Sequence, residues 1–149
     1  LPAASRAAMA VLTRRPKTRD FDTIVAFGVR AEQTIGSPGF PVDAETIRAN
    51  VTRDMTRSIS PAGFARQMAA IVASGDRRKT LATITAPTLV LHGVDDPLVP
   101  IAAGRDTAAT IPGATMVEVP GMGHNLPDPL IPVVLGAFDE LVGRVKVAA

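Results

Sequence analysis

Only two stretches of this 149-residue chain read as β-strand, Thr88–Leu91 and Thr115–Val119, and the residues between them hold one helical pattern, Ile101–Ile111. A strand, a helix and a returning strand is the unit that brings two strands side by side in parallel. The first run is short and almost wholly apolar, bounded by Pro87 and Gly93. Such a run suits a strand covered on both faces. In the second run Glu118 stands between two valines and marks a wetter face, as at a sheet edge. Two strands do not complete a doubly wound sheet, so the apolar run has an edge that needs cover from elsewhere.

Everything before Pro87 is helical in pattern. An Ala-rich helix is expected to about Leu12, stopped by Arg14-Arg15-Pro16. A second carries Phe21, Ile24, Val25, Gly28 and Val29 as one stripe and ends near Gly36. After the loop Gly36-Ser-Pro-Gly-Phe-Pro41, Asp43 is positioned to cap a third helix through about Arg57. Ser60 followed by Pro61 opens a fourth that stops at Gly75. Phe64, Met68 and Ile71 fall on one side of that fourth helix, a spacing expected to pack into a core, with an acyl pocket as the alternative. Asp76 is expected to cap a short helix carrying Leu81 and Ile84, and a last helix is expected from about Leu130 to Val145.

Composition narrows the chemistry. With 46% hydrophobic and 20% charged residues the chain is globular. It has no cysteine, which excludes disulfides, thiolate nucleophiles and zinc-thiolate sites. With His92 and His124 its only histidines, a multi-histidine metal site is not expected. A net charge of +2, and basic clusters at Arg14–Arg19 and Arg77–Lys79 without interleaved aromatics, read as solvated helix faces and point to no nucleic-acid partner. No apolar run reaches the length of a membrane span and no signal peptide opens the chain, so a cytoplasmic location is expected.

Each strand delivers a residue with catalytic chemistry. Past the first come Gly93, Asp95 and Asp96, then Pro97 and Pro100; past the second comes Gly121-Met-Gly-His124. A carboxylate that orients a histidine, itself the base for a nucleophile, is the second half of a hydrolytic triad. Either Asp95 or Asp96 could supply the carboxylate. His92, at the strand end, reads as structural.

This stretch resembles the C-terminal part of the α/β-hydrolase superfamily, in which the acid turn after the penultimate strand takes the form Gly-x-x-Asp and the histidine follows the last strand in a Gly-x-Gly-His loop. Matched residue by residue, Asp96 takes the place of the family's acid and His124 that of its histidine, leaving Asp95 to face solvent or cap the turn. The resemblance implies an α/β fold of partial α/β-hydrolase type: residues 1–85 as a helical cap, and residues 86–149 as the last two parallel strands and last two helices of the core. Thr34-Ile-Gly-Ser-Pro-Gly-Phe-Pro41 and Gly121-Met-Gly-His-Asn-Leu-Pro127 are most similar to the actinobacterial branch that contains aclacinomycin methylesterase.

The family's nucleophile sits in Gly-x-Ser-x-Gly between a strand and a helix, and Ser5, Ser37, Ser58, Ser60 and Ser74 all lack that setting. The expectation is a C-terminal fragment of a serine-type carboxylic ester hydrolase acting on a small-molecule ester. It would supply acid and histidine, need no cofactor and require the N-terminal half of the fold, and its start at Leu1 within a helical pattern fits that reading. Two alternatives stand beside it: epoxide hydrolase, dehalogenase or cofactor-free haloperoxidase chemistry on the same fold, and a non-catalytic remnant or interaction module.

Overall fold

The computed structural model describes residues 3–148; Leu1, Pro2 and Ala149 lie outside the described residues, and with them the expected reading of the chain start. Among the described residues five helices precede the first strand: α1 (Arg6–Thr13), α2 (Phe21–Ile35), α3 (Ala44–Arg57), α4 (Pro61–Ser74) and the short α5 (Arg78–Leu81). Then follow β1 (Leu89–Gly93), α6 (Ile101–Thr110), β2 (Thr115–Val119), a 3-10 turn at Asp128–Leu130 and α7 (Ile131–Ala148).

The helix boundaries follow from their caps. Asp20, Asp43 and Ser60 each accept a backbone N–H from three residues on, and Pro61 supplies the preset φ of a first helical position. Ser5 does the same for Ala8, so α1 opens at Arg6 behind its own cap. The expectation at Asp76 is corrected: Arg77 occupies the capping position of α5 without a side-chain bond, and the Asp76 carboxylate accepts from Arg78 N at 2.9 Å.

β1 and β2 form a two-stranded parallel sheet with Leu89 opposite Thr115 and Gly93 opposite Val119. Helix α6 is the crossover and packs on both strands, and α7 packs on β1. Leu89–His92 are only half-buried, because two helices do not cover both faces of the pair as a complete parallel sheet would be covered. Glu118 is exposed as its sequence setting implies, and Arg105 of α6 donates two 2.7 Å bonds to it. Those bonds hold the Glu118 carboxyl below the usual carboxylate range.

Two small apolar clusters result. Ala8, Val25 and Val51 are buried in α1, α2 and α3, while Ile111, Val119, Leu130 and Ala137 are buried around the sheet. The stripe on α4 departs from expectation. Phe64 is 50% and Ile71 56% exposed, so this face is not core. Periodicity establishes that a helix has an apolar side; it does not establish that anything packs there. Among the described residues no helix is long and apolar enough to cross a membrane.

Candidate active site

The parallel register sets the C-terminal ends of β1 and β2 side by side, the position at which open α/β sheets gather functional groups. The ladder continues past the strands into both loops: Val94 N donates to Val119 O at 3.0 Å, and Asp95 N to Met122 O at 3.1 Å. Acid turn and histidine loop are therefore joined through backbone as well as through side chains.

Asp96 is held from two sides. Its Oδ1 accepts the N–H groups of Leu98 and Val99, both at 2.8 Å, in the turn that Pro97 shapes. Its Oδ2 lies 2.8 Å from His124 Nδ1. The carboxylate side chain is 6% exposed and the imidazole 37%, so the acid lies beneath and the base opens outward. A carboxylate only accepts, so this bond places a proton on Nδ1, and in the neutral imidazole Nε2 is then the acceptor nitrogen.

The neighbouring groups have separate tasks. The Asp95 carboxylate accepts from Gly121 N at 2.7 Å and straps the acid turn to the histidine loop, a link that neither facing solvent nor capping its own turn describes. His92 donates from Nε2 to Val99 O at 2.8 Å, which fixes the residue whose N–H bonds Asp96; its Nε2 stands 3.9 Å from Asp96 Oδ2. It braces the acid turn, in keeping with the structural reading.

The histidine loop is also held by the helical region. His124 N donates to Ile35 O at the end of α2, at 2.8 Å. Gly123 N donates to Ser37 Oγ at 2.9 Å, and Ser37, itself buried, lies 2.7 Å from Asn125 Oδ1. Gly39 N donates to Gly121 O. These contacts need glycine: a Cβ on Gly123 would stand 2.1 Å from Gly36 O, and Gly121 has φ +78° with its Cα against Gly39. The two segments singled out in the sequence, 34–41 and 121–127, thus form one joint. Sequence reasoning missed Ser37 as its pin, since no local pattern announces a bond across 86 residues.

Among the described residues, no serine hydroxyl is hydrogen-bonded to His124. Ser5 and Ser60 cap helices, Ser74 bonds back to Ala70 O, and Ser37 is committed to the joint. No three His, Asp or Glu side chains among these residues gather as a metal-ligand set.

Comparison with known proteins agrees with this architecture. A family described as "TAP-like protein", an Abhydrolase_4 group, matches residues 65–129, a stretch that contains both Asp96 and His124. The rhodomycin D methylesterase DauP of Streptomyces sp. (strain C5) is 45% identical over 51 residues, 34% of this chain and 17% of that protein. The non-heme chloroperoxidase of Burkholderia pyrrocinia is 42% identical over 52 residues, 34% of this chain and 19% of that protein. The matched segments thus span under a fifth of these relatives' length. In structure, a mutant of the meta-cleavage product hydrolase CumD superposes with a TM-score of 0.57 at 18% identity, over 92% of this chain and 51% of that one. The family match, the methylesterase relatives and the shared fold together support an α/β-hydrolase superfamily member.

Proposed function

We propose that Asp96 and His124 are the acid and base of a serine-type carboxylic ester hydrolase whose nucleophile is contributed by polypeptide outside these 149 residues. The observation that carries the reading is the 2.8 Å contact between Asp96 Oδ2 and His124 Nδ1, with Asp96 Oδ1 saturated by two backbone N–H groups. In the proposed reaction His124 Nε2 removes the proton of the attacking hydroxyl. Asp96 keeps the imidazole in the required tautomer and stabilises the imidazolium, which then gives its proton to the leaving alcohol. Similarity to methylesterases supports an ester as substrate and a place in the methylesterase branch.

A second reading rests on a specific observation: the chloroperoxidase matches over 52 residues and a haloperoxidase over 47, at identities similar to the methylesterases, so chemistry of that type on the same pair is the alternative. The test uses this chain alone and together with a polypeptide that carries the family's earlier strands and a Gly-x-Ser-x-Gly elbow. On a p-nitrophenyl ester, the chain alone should turn over no faster than its His124→Ala variant. The combination should hydrolyse the ester and lose that activity with His124→Ala. Serine-inhibitor-sensitive turnover by the isolated chain, or no gain from the combination, would count against the proposal.

A further inference from the structure

Away from the acid and histidine, an open cavity of about 1080 Å³ lies between α1, the connection to α2, α2 itself and α4. Its floor is apolar, built from Met9, Leu12, Ile24, Phe27, Phe64 and Met68. Several of these are costly to leave in water: Met9 is 42% and Phe64 50% exposed. Phe64 and Met68 of the α4 stripe face it, and ordinary helix packing does not fill it.

The rim has a different character. Arg14, Arg15, Lys17 and Arg19 line one side, and among the described residues no Asp or Glu lines the cavity. Among these residues, too, none of the four cations has a carboxylate within salt-bridge distance. The nearest acid in sequence, Asp20, is turned to its own helix, where it takes hydrogen bonds from Thr18 and Thr23 N. Among the described residues nothing compensates these cations, and they border a wide apolar surface.

We propose that this cavity binds an amphipathic monoanion, a carboxylate on a long alkyl or polycyclic body, with the body on the α1, α2 and α4 floor and the carboxylate at the Arg14–Arg19 rim. An apolar chamber of several hundred cubic ångströms with a few convergent polar groups is the usual form of a small-molecule site. Arginine at the mouth matches a carboxylate in geometry as well as charge. The lining shares no residue with the Asp96–His124 pair, so binding here does not depend on the hydrolytic reading.

The experiment titrates the full 149-residue chain with dodecanoate, methyl dodecanoate and dodecyltrimethylammonium by calorimetry at low salt. Dodecanoate should bind saturably and about tenfold more tightly than its methyl ester, the sum of several partly exposed charge contacts. Added salt should narrow that ratio. Replacing Arg14, Arg15, Lys17 and Arg19 together by Gln should bring dodecanoate down to the level of the ester and leave the ester unchanged. Phe64→Ser, at a half-exposed position that the fold does not need, should weaken both, and His124→Ala should weaken neither.

Equal binding of anion and cation, absence of saturation, or loss of binding with His124→Ala would overturn the proposal. A further arm offers phosphatidylglycerol vesicles. Adsorption to them through the same four cations, with no saturable binding of free dodecanoate, would replace the small-molecule site by a membrane-facing surface and overturn it too.

Discussion

Asp95 and Asp96 are adjacent carboxylates whose roles the structure separates completely. Asp96 reaches His124, and Asp95 reaches the Gly121 amide on the same loop. The first bond orients a side chain and the second positions the backbone that carries it. The same division holds on the other side of the histidine, where Ser37 accepts from Gly123 N at a buried position. Ser37→Ala leaves that amide without its partner, at a cost of about 1–3 kcal/mol. Urea unfolding should show that loss, and hydrogen exchange at the Gly123 amide should quicken; unchanged stability together with unchanged exchange would deny Ser37 its role as the pin. Asp96 is legible in the sequence because Gly-x-x-Asp and Gly-x-Gly-His come in order at a workable spacing. Ser37 is not, because its partners lie on a loop that only the fold brings near.

At the scale of elements, caps carry most of the legible information, since a side chain that bonds a backbone N–H three residues on leaves its trace in adjacent sequence. Asp43 and Ser60-Pro61 stand where their residue types place them, and Asp76 misses by one residue because Arg78, not the next turn, claims its oxygens. Burial is legible only where an element has its partners inside the chain. Leu130 is fully buried at the joint of the 3-10 turn with α7, and Leu130→Ala should cost about 2–5 kcal/mol in denaturant unfolding. A loss well below that range would mean the sheet cluster is looser than its burial implies.

The Arg105–Glu118 strut gives a pH test at the same scale. Because the folded-state carboxyl titrates below its ordinary value, its stabilisation is present above that value and is lost as pH falls through the folded one. The gap in melting temperature between the native chain and Glu118→Gln should therefore be larger at neutral pH than in acid, and an equal gap at both would refute the coupling.

For the molecule as a whole, the helical region and the parallel pair meet at one joint, where Ile35 O, Ser37 and Gly39 hold residues 121–125. The base is thus steadied by the region that would cover a substrate, which ties geometry to function in the proposed hydrolase. What the pair leaves uncovered is as informative. Ile131, Leu135 and Phe138 form an exposed stripe along α7, and among the described residues each strand keeps one unpaired edge. This chain spans about half of the solved hydrolase that superposes on it, and the proposed nucleophile-bearing strands are suited to that surface.

The most direct measurement is ester hydrolysis by this chain combined with such a polypeptide, comparing Asp96→Asn with Asp95→Asn. Asparagine keeps the shape of the side chain and favours the wrong imidazole tautomer at position 96, so kcat should fall by roughly 10⁴ there. At position 95, where only a loop strap is weakened, most of the rate should remain. Equal rates for the two variants, or a larger loss for Asp95→Asn, would contradict the assignment of Asp96 and His124 as acid and base.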